Sequence, residues 1–157
     1  MRPLLVLGAL LLAACSPQPA VETGTVPDLD GAFDFGALTI VNDAGESLEF
    51  DVYIGTTREQ QLRGLMFIRE MPASTRMLFV YDTSDYRSIW MKNTYIPLDL
   101  VFARDDGSVS SIVADATPLT LDSRLSIEPV RYVLELNGGT ARRLGIGKDS
   151  RLVVEAL

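Results

Sequence analysis

The sequence predicts a mainly β domain of the α+β kind: a compact antiparallel β-barrel or two-layer sandwich with one or two short helices. Three observations predict it. Apolar residues recur at every second position in several short stretches, the rhythm of a half-buried strand. Turn-forming clusters separate these stretches, notably Asn42-Asp43-Ala44-Gly45 and Arg104-Asp105-Asp106-Gly107. Only two short pieces, after Thr56 and at 140–144, depart from that rhythm toward a helical one. Many short strands with little helix point to a barrel or sandwich.

Taken in order, residues 38–41 and 47–54 flank the first turn and form a hairpin. Within 47–54, Leu48, Phe50, Val52 and Ile54 face one way, and Glu49, Asp51 and Tyr53 the other. Thr56 or Thr57 is a candidate N-cap with Glu59 or Gln60 in the first turn, opening a short helix that Gly64 weakens or ends. Residues 77–81 and 89–92 read as short apolar strands. Stretches 98–103 and 109–114 flank the second turn, and Asp-Gly between apolar runs is a strong hairpin signal. Residues 117–128 read as a polar loop. Stretch 130–136 alternates, with Val130, Tyr132, Leu134 and Leu136 on one face and Arg131, Val133 and Glu135 on the other. Gly138-Gly139 supplies unusual backbone angles before a helical turn at 140–144. Residues 152–155 close the chain as a strand.

The 157 residues suit one domain. At that size a chain buries roughly two-thirds of its unfolded surface, so an ordinary apolar core suffices. Three segments are expected: 1–14, 15–34 and 35–157. The first has a charged start at Arg2, an apolar run over 4–14, and small residues before Cys15. That is the layout of a secretory signal peptide. The run is too short for a membrane-spanning helix, which needs about 20 residues. Leu12-Ala13-Ala14-Cys15 resembles the lipobox of bacterial lipoproteins, in which the cysteine becomes the first mature residue and carries lipid. The resemblance implies lipidation at Cys15, with the membrane as a partner. Ser16 in place of Asp then points to the periplasmic face of the outer membrane. The start is thin for that class, with one arginine beside Pro3. Segment 15–34 is rich in Pro, Gly, Ser and Thr and is expected to be a flexible tether.

Composition excludes several functions. There is no histidine, which removes Ser-His-Asp and Cys-His catalysis and histidine-based metal sites. The single cysteine removes intrachain disulfides and CxxC motifs. The net charge is −7, from 14 basic and 21 acidic residues, with no dense basic run, so nucleic acid is not an expected partner. No metal site or cofactor is expected. Asp105-Asp106 reads as a hairpin turn rather than a calcium loop, and Gly138-Gly139 is too short for a phosphate cradle.

Four strings carry a resemblance. GLMFIREMP (64–72), MLFVYD (77–82), IWMKNTYIPLDLVF (89–102), and VRYVLELNGG followed by LGIGKDS (130–150) resemble, in order and spacing, the DUF192 family, also called UPF0127. The likeness covers about residues 38–155. It implies a small β-rich fold, often behind a signal or anchor segment, and no established reaction. Arg76 stands where the family tends to have Gly, and Gly139 where it tends to have Ala. The first departure implies an altered wall for any pocket nearby.

Candidate functional residues cluster around YRSIWMKNTYIPLDLVF (86–102). Trp90 and Met91 carry large apolar area suited to the core or its rim. Asn93 and Thr94 favour turns through side-chain bonds to nearby backbone, and Pro97 pushes Ile96 toward an extended conformation. The same segment can instead aim Lys92, Asn93 and Thr94 into a groove. Arg63 offers a bidentate fork to a carboxylate of the protein or of a ligand. Arg63, Trp90, Lys92, Asn93 and Thr94 are therefore the ligand-binding candidates.

Asp99 lies in a strand apolar on both faces and needs a partner, with Lys92, Arg63 and Arg131 as candidates. Glu135 raises the same question, unless its face of the strand meets solvent. Both acids can be structural, or they can form an acid–base pair of the kind glycoside hydrolases use. Two functions follow. One is a non-catalytic envelope module that binds a small polar ligand, a glycan or an envelope protein. The other is a carboxylate-dependent hydrolase or lyase acting on envelope carbohydrate through Asp99 and Glu135. The missing nucleophile motif favours the module.

Overall fold

The protein is described by a computed structural model covering residues 25–154. Among the described residues, nine strands and two short helices follow one another: β1 Asp34–Val41, β2 Ser47–Gly55, α1 Arg58–Arg63, β3 Thr75–Asp85, β4 Ser88–Ile89, β5 Leu98–Ala103, β6 Val109–Ala116, β7 Arg124–Leu125, β8 Val130–Asn137, α2 Thr140–Arg143 and β9 Arg151–Val153. Seven strands form one curled sheet, a half-barrel, in the order β6-β5-β8-β3-β2-β1-β9, and β4 pairs with β7 in a separate ribbon. The mainly β expectation holds, and both turn clusters make the expected hairpins.

Several strands begin or end a few residues from the expected positions, and two elements differ most. The 89–92 strand shrinks to β4, and the 117–128 loop contributes β7. The pairing is also not wholly antiparallel, because β2 and β3 run parallel. A parallel pair needs a crossover, and α1 lies on it. Thr57 caps α1: its hydroxyl accepts from the Gln60 N–H at 3.2 Å, and the Gln60 side chain accepts from the Thr57 N–H at 3.0 Å. Gly64 then ends the helix with a positive φ of 45°.

The sheet curls until its ends meet. Ser108 bridges Arg151, the Val109 N–H donates to the Ser150 carbonyl at 3.0 Å, and the Leu152 N–H donates to the Gly107 carbonyl at 2.9 Å. Gly107 has φ +83°, and a Cβ there would lie 2.1 Å from the Leu152 oxygen. Only glycine permits this approach.

Both faces of the sheet are buried. The concave face packs Leu38, Ile40, Val52, Leu78, Val101 and Leu134 against one another. Arg76 is in register with Val52 and shares that face. It is almost fully buried, its guanidinium stacks 4.5 Å from the Phe50 ring, and burial, then nearby Arg143, lowers its pKa to about 10. The convex face is covered by irregular segments. Leu29, Phe33, Leu65, Ile68 and Met91 pack there on Tyr53, Phe79, Leu100 and Val133. Tyr53 and Glu135, assigned to a polar face by alternation, are therefore buried. Alternation separates two faces but does not say which one has a cover.

The packed domain also begins earlier than residue 35. Val26, Leu29 and Phe33 are buried. The Tyr53 hydroxyl accepts from the Val26 N–H at 2.7 Å and donates to Asp30 Oδ1 at 2.5 Å. These contacts tie down the end of the expected tether. The expected signal peptide, the expected lipidation at Cys15 and the expected tether upstream of residue 25 lie outside the described residues. Tyr53→Phe is expected to cost roughly 1–2 kcal/mol, because it removes both bonds from a buried site. Urea denaturation checks this, and an unchanged midpoint would mean that the hydroxyl does not secure the 26–30 turn.

Candidate functional site

A cleft of about 480 Å³ opens on the convex face, where the covering segments part over β3 and β8. One wall is the end of α1 with Gly64 and Leu65. The other is the stretch from Tyr86 to Trp90. Phe79, Tyr81 and Glu135 form the floor.

Glu135 is the unusual group. In β8 it stands opposite Met77 on one side and Leu100 on the other, so its flanks are apolar. It is 4% exposed, and its Oε2 has no hydrogen-bond partner among the described residues. Burial pushes its pKa up to about 8, which leaves it a neutral acid at pH 7. A neutral carboxyl can donate as well as accept. Gly64 passes close above it: a Cβ there would lie 3.9 Å from Oε2 and 3.0 Å from Phe79 Cζ. The missing side chain and the positive φ let the helix end cross this floor.

Cations ring the opening. Arg58 lies on the rim, with no ion pair or hydrogen bond of its side chain among the described residues. Arg63 donates to the Asp28 carbonyl and stacks 5.5 Å from the Phe33 ring. Arg87 lies 3.8 Å from the Tyr81 ring and donates to the Val130 and Thr83 carbonyls. Burial raises the Tyr81 pKa to about 12 against the opposing pull of Arg87, so the phenol keeps its proton. Trp90 is 43% exposed at the rim, with Lys92 Nζ 5.2 Å from its ring.

Of the predicted binding residues, Arg63, Trp90 and Thr94 line the cleft together with Glu135. Lys92 is exposed beside the Trp90 ring and is not among the residues that line the cleft. Asn93 adopts a left-handed φ of 56°. Its carbonyl accepts from the Phe67 N–H at 2.8 Å, and its Nδ2 reaches Met66 Sδ at 3.9 Å. The Thr94 N–H donates to the Met91 carbonyl at 3.1 Å. WMKNT therefore turns the chain and also places two residues at the cleft. Trp90 is not a core residue, because Ile89 and Met91 face inward on either side of it.

Asp99 is fully buried, and none of Lys92, Arg63 or Arg131 pairs with it. Its Oδ1 accepts from the Asp115 N–H at 2.8 Å and the Gly139 N–H at 3.1 Å, and its Oδ2 from the Ala141 N–H at 2.8 Å. Arg131 pairs with Asp105 instead, at 2.8 Å. In the β5–β8 ladder Asp99 stands opposite Leu136, and Glu135 opposite Leu100. Adjacent positions in a ladder face opposite sides, so the two acids look away from each other across the sheet. They do not form a pair around one substrate. Among the described residues, no group of three or more Asp, Glu, Cys or His could hold a metal ion.

Comparison with known proteins gives a family and no reaction. No curated protein matches the chain. A structure from Sinorhizobium meliloti, described as a "putative transcription regulator", has 36% identity and a TM-score of 0.75, covering 76% of this chain and 93% of that one. A protein of unknown function from Novosphingobium aromaticivorans has 32% identity and a TM-score of 0.75, covering 92% and 99%. The DUF192 family model, described as an uncharacterised ACR, matches residues 39–154. The half-barrel is thus a fold this chain shares with both solved structures, and the chain belongs to the DUF192 family.

Proposed function

We propose that this chain is a cell-envelope lipoprotein, held by lipid on Cys15 at the periplasmic face of the outer membrane, whose β domain is a non-catalytic binding module. Its ligand is a small polar molecule, with glycan fragments the first class to test. The observation that carries the binding role is the unpartnered Oε2 of Glu135 at the cleft floor. A buried polar atom left without a partner costs roughly 1–3 kcal/mol, and a ligand hydroxyl that displaces the cover over this solvent-shielded oxygen would satisfy it. Trp90 and Tyr86 offer aromatic faces beside it, and Arg58 offers a cation that has no ion pair among the described residues.

The carboxylate-pair enzyme loses its second acid, since among the described residues Glu135 is the only carboxylate lining the cleft. The regulator description attached to the Sinorhizobium protein finds no support in a chain of net charge −7 without a basic run.

Calorimetric titration of the full chain with muropeptides and lipopolysaccharide core sugars tests the reading. Wild type should bind a member of the set. Glu135→Leu should weaken that binding by about tenfold or more, matching the loss of one buried hydrogen bond. Undiminished binding by Glu135→Leu, or turnover of a glycan that Glu135→Gln abolishes, would overturn the module. The lipid anchor is read separately, from the mass of the exported chain and its Cys15→Ser variant.

A further inference from the structure

Among the described residues, the ten exposed large apolar residues are not scattered. Tyr86, Trp90, Leu119, Leu121, Leu125 and Ile127 belong to two stretches, with exposures from 43 to 70%. These stretches run side by side. Ser88 stands opposite Leu125, the Met91 N–H donates to the Thr120 carbonyl at 3.1 Å, and the Leu119 N–H donates to the Thr94 carbonyl at 3.1 Å. Leu119 is held at φ +59°, a left-handed conformation that bulky residues rarely adopt. An exposed ribbon so rich in large apolar side chains marks an interaction surface.

We propose that this ribbon docks on an anionic bilayer surface. The inference rests partly on the lipid-anchor reading above. Charge chooses the occupant. Residues 86–95 and 117–127 hold Arg87, Lys92 and Arg124 against Asp122 alone, a net +2 in a chain of −7. Trp and Tyr beside aliphatic residues, flanked by Lys and Arg, is the composition that settles at the headgroup boundary of anionic membranes.

Position agrees. The ribbon forms one wall of the cleft, and Arg63 on the other wall holds the Asp28 carbonyl. The N-terminal segment therefore joins the packed domain beside the cleft. From Cys15 to Thr25 is ten residues (25 − 15), which extend at most about 36 Å. Lipid on Cys15 would keep the ribbon within reach of the membrane.

Trp90 is the chain's only tryptophan and reports on the ribbon directly. The full chain is reconstituted in phosphatidylethanolamine–phosphatidylglycerol vesicles with and without brominated acyl chains. Bromine in the acyl region quenches an indole only at short range. Docking predicts that Trp90 loses most of its emission to brominated lipid. The quenching should fall when phosphatidylcholine replaces phosphatidylglycerol. It should disappear in the triple variant Leu121→Ser, Leu125→Ser, Ile127→Ser, whose sites are exposed and outside the cleft lining, with the melting temperature unchanged. Unquenched wild-type emission would overturn the proposal, whether the ribbon then faces water, a second copy or another protein. The mass of the purified chain records lipid on Cys15 independently. An unlipidated chain that is still quenched keeps the docking surface and removes only the anchor.

Discussion

Glu135→Gln is expected to make the protein more stable than wild type at pH 8 by roughly 2–4 kcal/mol, with the two nearly equal at pH 4.5. The folded carboxyl titrates at about 8, against 4.5 ordinarily. Between those values the folded protein holds a proton that the unfolded chain releases. Wild-type stability therefore falls as pH rises from 4.5 toward 8, and above 8 the folded state must bury a carboxylate between Met77 and Leu100. Glutamine fills the same space and never ionises, while every other titrating group is common to both proteins. The difference between their denaturation midpoints across pH 4.5–8.5 thus isolates this one group. Midpoints that run parallel would mean that water or a partner reaches Oε2 and that the floor is not dry. The same titration bears on function, because ligand contacts to Oε2 change character once the proton leaves.

Local devices were the legible part of this fold. The hairpins around Asn42-Asp43-Ala44-Gly45 and Arg104-Asp105-Asp106-Gly107, and the Thr57–Gln60 capping box, depend on neighbours in sequence. The parallel β2–β3 pair was not legible, because periodicity carries no strand direction. The burial of Tyr53 and Glu135 was hidden for a related reason. Their cover comes from segments around 26–33 and 65–71 that are irregular and show no period.

The cleft was half legible. Arg63, Trp90, Thr94 and Glu135 were candidates on chemical grounds, and the fold brings them to one opening. Arg58, Tyr81 and Arg87 were missed. They stand in separate elements that only the crossover through α1 and the β4–β7 ribbon gather around Glu135. The pairing of Asp99 with Glu135 failed on one fact that strand alternation could have supplied only with the register in hand. They occupy adjacent rungs of one ladder and so face opposite sides.

That geometry makes Asp99 the site of the second large effect. Asp99→Ala should destabilise the protein by roughly 3–5 kcal/mol, since it leaves the N–H groups of Asp115, Gly139 and Ala141 without their acceptor. For a domain of this size the loss corresponds to a fall of about 10 °C or more in melting temperature. Asp99→Asn should fall between the two. Its oxygen can serve Asp115 and Gly139, but its amide then turns donor against donor toward Ala141. Differential scanning calorimetry ranks the three proteins. The acid ties β5 to β6 and to the start of α2, and its side chain points away from the cleft. Ligand affinity per folded molecule should therefore be unchanged in Asp99→Asn. A variant with wild-type melting behaviour and lost affinity would move Asp99 from architecture to the binding site, against the register that now separates it from Glu135.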